Sequence, residues 1–330
     1  MSARTVKNVI FLGAAGQAGR VVFNSLVQAS QGSGLTISAL SRADSTAKFP
    51  SNVKILRTDY TPVSLEKALA CQDGVISILG DAGMPLQKTI IDAAIAAGVQ
   101  RIFPSEFGCR TYLDKVVALM PYFQQKRELI DYLKTKQGSI SWTAVIPNPF
   151  FDEVRIIDPS HPGLLTMRQA LKNTFHGYEP PNKYFLLDGE DAPYGTTNLR
   201  TIGLALFKII SDPAHFQDSA NRYVNIYSHI TTQKEILAAV EKASGIIFER
   251  HSLNSADLYE DSMRRWRSRG SSEEKDLFAE RDIIQCITYG KGDFLGLGEP
   301  RDENDWTRRL GLPAESLEED VVGVLQGTRP

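Results

Sequence analysis

The chain is poor in cysteine, in net charge and in long apolar runs, and each scarcity removes a class of protein. Cys71, Cys109 and Cys286 are the only cysteines in 330 residues, too few and too scattered for a disulfide framework or for the paired spacing of a zinc site. A reducing compartment is expected. Lys and Arg number 37 against 39 Asp and Glu, a net charge of -2, which supplies no basic field to hold a phosphate backbone or an anionic lipid surface. Neither nucleic acid nor a membrane is an expected partner. No stretch approaches the ~18 apolar residues of a membrane span, and the run from Val9 to Leu12 stops at Gly13, too short for a signal-peptide core. A cytoplasmic protein is expected. The five histidines, His161, His176, His215, His229 and His251, have no metal-ligand spacing, and no metal is expected.

What is present is the composition of an ordinary globular protein, 42% hydrophobic and 23% charged, long enough for about two domains. Up to about residue 150, short runs rich in β-branched residues alternate with segments of helical period. The runs are Val9 to Leu12, Thr36 to Leu40, Val53 to Leu56, Val75 to Leu79, Arg101 to Phe103 and Trp142 to Ile146. Helices are predicted at Ala18 to Ala29, Ser64 to Ala70, Pro85 to Ala97 and Pro121 to Lys136, two of them with proline in or near the first turn. This is the pattern of an α/β protein with a Rossmann-type doubly wound parallel sheet. After Pro147-Asn148-Pro149 the rhythm breaks. Asp158 to Gly195 reads as loops and short strands over a pocket. A helix from Leu199 to Ile210, a strand from Arg222 to Ile226 and a helix entered through Thr231-Thr232-Gln233-Lys234-Glu235 belong to a smaller α+β substrate domain. The expected division is 1-150 for the nucleotide and 151-330 for the substrate, with some later segments returning to the first unit. The charged run Arg264 to Arg269 is read as a solvated helix face.

Gly13-Ala14-Ala15-Gly16-Gln17-Ala18-Gly19 lies between the first strand and the first helix. There, glycines permit the tight bend, the approach of backbone to a pyrophosphate and close helix-strand packing, while free N–H groups and the helix dipole hold the phosphate. Gly13, Ala15, Gly16, Gln17, Ala18 and Gly19 are therefore candidate cofactor-binding residues. The second strand ends in Leu40-Ser41-Arg42, a cation where an NAD-selective fold carries a carboxylate. Arg42, with Lys48, suits the 2'-phosphate of NADPH, although Asp44 stands close by. Leu79, Gly80, Gln87, Ser105 and Lys126 complete the expected set.

Tyr122 and Lys126 share one face of a helix at i, i+4. A lysine beside a phenol can organise proton transfer to a developing alkoxide while hydride arrives from a nicotinamide. The same spacing recurs at Tyr132 and Lys136, but a crossover helix starts at the carboxyl edge of the sheet and runs away from it, so Lys126 has the better position. Pro104-Ser105-Glu106-Phe107-Gly108 closes the fifth strand at that edge.

This loop, the glycine loop, the Val75-Ile76-Ser77 strand and Lys126 resemble the isoflavone reductase-like branch of the NmrA-like family of atypical short-chain dehydrogenases. The branch includes plant isoflavone, pinoresinol-lariciresinol and phenylcoumaran benzylic ether reductases. The resemblance runs from about Asn8 to Phe151 and more loosely to Gly245. It implies NADPH dependence, Lys126 as general acid or base, and an aromatic or quinone-methide-like substrate. The plant enzymes do not normally have tyrosine at the position of Tyr122, which adds ketone reduction to the chemistry to be considered. Phe107, Asn148, Phe150, Phe151, His176 and Tyr178 are the candidate substrate-binding residues, an apolar wall with a few polar anchors. Ser105 and Glu106 are expected to pack the loop rather than to act directly, and Cys109 to pack without an activating base. The family also includes non-catalytic dinucleotide sensors that bind a regulatory protein, and this alternative stays open. A monomer or homodimer acting on a small molecule is expected.

Overall fold

The computed structural model describes residues 6–152, 178–179, 183–188, 190–268, 277–294, 296–298 and 305–326. Asn8–Leu12 (β1) lies in the interior of its main sheet, with its last four residues, all apolar, buried, as a strand covered on both faces must be. On one side β1 pairs in parallel with Thr36–Arg42 (β2), which pairs with Lys54–Thr58 (β3). On the other side follow Gly74–Ser77 (β4), Arg101–Phe103 (β5) and Ser141–Ile146 (β6), all parallel. The order reverses between β1 and β4, the switch point at which such sheets bind ligands beyond their carboxyl ends. Alternate side chains divide the core: Phe11 faces Gln17–Ala29 (α1), while Ile10 and Leu12 face the cluster containing Leu65, Ile90 and Ile130.

The remaining crossover helices are Pro62–Leu69 (α2), Gln87–Ala96 (α3), Asp114–Leu119 (α4) and Pro121–Thr135 (α5). The helix predicted from Pro85 is divided, with a 3-10 segment at Asp81–Leu86 before α3. Pro85 cannot donate a hydrogen bond from its nitrogen, and a tight turn accommodates it.

Beyond residue 177 the described strands are Tyr178–Glu179 (β7), Lys183–Leu187 (β8), Tyr194–Thr196 (β9), Arg222–Asn225 (β10), His229–Thr231 (β11) and Glu249–Leu253 (β12). β10, assigned from the sequence to the smaller domain, is the seventh strand of the central sheet, parallel to β6, and so is one of the later segments that return to the first unit. Asn221 explains the docking. With φ of 56°, it accepts the Trp142 N–H through its side chain at 3.1 Å and donates its own N–H to the Trp142 carbonyl at 2.6 Å. A period-2 pattern identifies a strand but not its neighbour. β7, β8 and β12 form a separate sheet and β9 pairs with β11; around them Ile236, Leu237, Met263, Ile283 and Val321 build another core. The helix Gln233–Ser244 has the expected capping box between Thr232 and Glu235. Among the described residues no helix is long and apolar enough to cross a membrane.

Leu199–Ser211 (α6) packs directly on α1. Gly203 makes this approach possible, because a Cβ there would lie 2.5 Å from the Val22 carbonyl oxygen and 2.6 Å from Ser25 Cβ. Gly203→Ala should therefore destabilise the protein by roughly 1–3 kcal/mol through overpacking, read as a lower urea midpoint; an unchanged midpoint would show that the helices separate freely.

Candidate active site

The glycine loop is a steric device. Gly13 has φ of +91°, and a Cβ on it would sit 1.9 Å from the Ile78 carbonyl oxygen; a Cβ on Gly19 would sit 2.1 Å from the Gly13 carbonyl oxygen. Helix α1 is thereby drawn against both the loop and the end of β4. The Gly16 N–H donates to the Gly13 carbonyl at 2.9 Å, and α1 starts without a side-chain cap and without an acidic residue in its first turn. Ala15, Gly16 and Gln17 are exposed and Ala18 half-buried. An uncapped helix end with a positive dipole and accessible backbone fits the pyrophosphate of a dinucleotide.

From this cradle a continuous series of contacts leads to Lys126. Gly13 abuts Ile78. The next residue, Leu79, donates its N–H to Ser105 Oγ at 2.9 Å and accepts the Ser105 hydroxyl on its carbonyl at 2.6 Å, which ties the exit of β4 to the exit of β5. One residue further, the Glu106 backbone carbonyl accepts a hydrogen bond from Lys126 Nζ. Lys126 is only 7% exposed, in the second turn of α5, whose start at Pro121 sets the lysine at the carboxyl edge. The Tyr122 ring lies beside it, with Nζ 5.6 Å from the ring centroid.

The Glu106 carboxyl is fully buried and accepts the Thr111 hydroxyl. Burial pushes its pKa up, opposed by Lys126, the Thr111 hydrogen bond and Arg127. The loop is held at its far end as well. Arg127 donates to the Thr111 carbonyl at 2.9 and 2.6 Å, Arg110 donates to the carbonyls of Gly296 and Leu297 at 2.8 and 2.9 Å, and the Asn148 N–H donates to the Gly108 carbonyl at 3.1 Å. Among the described residues no group of His, Cys, Asp and Glu could hold a metal.

The profile of the NmrA-like family matches residues 5–265. The chain belongs to the NmrA-like family. Oxidoreductase aprR of Aspergillus flavus is 29% identical to it over 98% of this chain and 100% of that protein. Among solved structures, an isoflavone reductase superposes with a TM-score of 0.70 at 21% identity, covering 96% of this chain and 99% of that one. The binary complex of Vitis vinifera leucoanthocyanidin reductase with NADPH gives a TM-score of 0.69 at 17% identity, covering 97% of this chain and 99% of that one.

In this NmrA-like chain the other expected site residues are not all brought together. Arg42 is exposed, 3.8 Å from Asp44, and Lys48 is exposed. Gly80 is exposed and Leu79 half-buried, whereas Gln87 is fully buried and donates to Ser77 Oγ at 2.9 Å. The Ser105 hydroxyl is committed to Leu79. Phe107 and Asn148 are buried, Asn148 with φ of 56°. Phe150 is half-buried beside the α1 and α6 core, but Phe151 is fully buried in the other core, its ring 5.0 Å from the His229 ring. Tyr178 begins β7 and pairs with Tyr184; His176 lies outside the described residues. Arg110 and Ile78 contribute to the geometry without any local signal in the sequence, since their partners are distant in the chain.

Cys109 belongs to the same loop, and burial pushes its thiol up to about 11. Cys286 is also buried and Cys71 exposed. Ellman's reagent at neutral pH should label Cys71 alone in the folded protein and all three thiols after denaturation; rapid native labelling of Cys109 would mean that the loop opens.

Proposed function

We propose that this NmrA-like protein is an NADPH-dependent reductase of a small, mostly apolar metabolite bearing an aromatic-conjugated carbonyl or alkene. The observation that carries the reading is the buried Lys126, fixed on the Glu106 carbonyl and joined through Ser105 and Leu79 to the glycine cradle. The oxidoreductase name of the Aspergillus flavus relative and the NADPH complex of leucoanthocyanidin reductase support it. NADPH, when bound, supplies hydride.

The protein's own groups supply the rest. Backbone N–H groups at Gln17 and Ala18 hold the pyrophosphate, and Arg42 with Lys48 receives the 2'-phosphate. Lys126 Nζ holds a proton where negative charge develops on the substrate oxygen or carbon, and gives it up as the product forms. The Tyr122 ring flanks Nζ, restricting its motion and its access to water. Phe107, Asn148 and Phe150 form the substrate-side wall in this reading, with residues 1-150 binding the cofactor and 151-330, apart from α6 and β10, covering the substrate.

Calorimetric titration should show NADPH binding more tightly than NADH, with the preference falling sharply in Arg42→Ala; equal affinities in wild type would refute the cofactor assignment. A metabolite library screened for NADPH oxidation identifies the substrate. On that substrate Lys126→Ala, and Lys126→Met, which keeps the apolar stem, should retain NADPH affinity but lose ~10²–10⁴ in turnover. Unchanged turnover would exclude Lys126 from proton transfer. No turnover in wild type, with a protein captured in only one cofactor redox state, would favour the sensor.

A further inference from the structure

Arg57 stands opposite Ser41 in the β2–β3 register and reaches over the carboxyl end of β2. Its Nη1 alone donates to three oxygens: Ser41 Oγ at 3.3 Å, the Arg42 carbonyl at 3.1 Å and the Ser45 carbonyl at 3.0 Å. These acceptors bracket the turn from Arg42 to Ser45, which is closed by the Ser45 N–H on the Arg42 carbonyl at 3.1 Å and tied to β3 by the Ala43 N–H on the Thr58 carbonyl at 3.0 Å. The guanidinium is thus held in one orientation at an exposed position, where an arginine ordinarily keeps its rotamer freedom. Among the described residues its Nε and second amino group make no hydrogen bond and it has no carboxylate partner.

The charge balance at this turn adds to the argument. Arg42 lies 3.8 Å from Asp44, so part of its field is offset within the turn, and Arg42 alone leaves an acid and a base where a dianionic phosphate would have to bind. Arg57 restores a net positive charge. Its remaining donors form a planar fork of the kind that matches phosphate oxygens, and an orientation set in advance reduces the ordering cost of binding.

Resting on the NADPH reading above, we propose that Arg57 is a specificity-determining residue, a second guanidinium that recognises the 2'-phosphate of an adenosine ligand while it fixes the turn carrying Arg42.

The test uses 2',5'-ADP and 5'-ADP as probes, titrated calorimetrically into the full chain, because they report the adenosine end independently of turnover. Wild type should prefer 2',5'-ADP. Arg57→Ala should lower its affinity for 2',5'-ADP by about tenfold or more, the scale of a lost charge-assisted contact, while leaving 5'-ADP affinity unchanged. Arg57→Lys should recover part of the loss, and Asp44→Asn should strengthen 2',5'-ADP binding. Equal losses for both probes would reduce Arg57 to a prop for the turn, and no loss for either would remove it from the site; both results overturn the proposal while leaving the NADPH reading intact. Wild type binding both probes equally, or neither, would overturn the two together.

Discussion

The Ser105 hydroxyl bound to both the N–H and the carbonyl of Leu79 joins two strand exits, and the site is assembled around that clamp. The segment from Pro104 to Thr111 is buried or half-buried throughout although it has no regular structure, so its backbone polar groups must find partners other than water. They do so across the chain: Glu106 with Lys126, Gly108 with Asn148, Thr111 with Arg127. A loop made this way is held from two directions, by α5 through Lys126 and Arg127 and by the segment after β6 through Asn148. Lys126 is one of these anchors, so the group assigned to proton transfer is also part of the scaffold that positions it.

Burial favours the neutral form of Glu106, and the nearby lysine acts in the opposite direction. Nζ contacts the backbone carbonyl of Glu106 rather than its carboxylate, which leaves it restrained without a direct ion pair among the described residues. The cofactor side follows another principle. In the proposed reading, recognition comes from backbone shape at the glycine loop and from guanidinium groups at the β2 turn.

The parts of this arrangement legible in the sequence are those encoded by neighbours in the chain. β1, β2 and β5 could be read from β-branched runs, and the α1 entry from glycine spacing, because strand period, helix period and left-handed φ are local properties. The docking of β10 beside β6 depends on Asn221 meeting Trp142, and nothing near Asn221 announces it. Ser105 and Arg57 illustrate the same limit: an ordinary serine and an ordinary strand arginine acquire their roles from Leu79 and from the turn after β2. Phe151, assigned to the substrate wall from its place after Phe150, points into the core beside His229, since adjacent residues in extended chain face opposite ways.

The most direct test of a lysine-assisted hydride transfer is a single turnover with NADPH deuterated at the transferred position, run in ordinary water on wild type and Lys126→Met with the substrate identified by screening. A reductase of the kind described delivers the deuterium to a carbon of the product in both proteins, and the variant does so far more slowly with its cofactor still bound. Product without deuterium would contradict hydride transfer from the cofactor, and equal rates in the two proteins would contradict the role of Lys126.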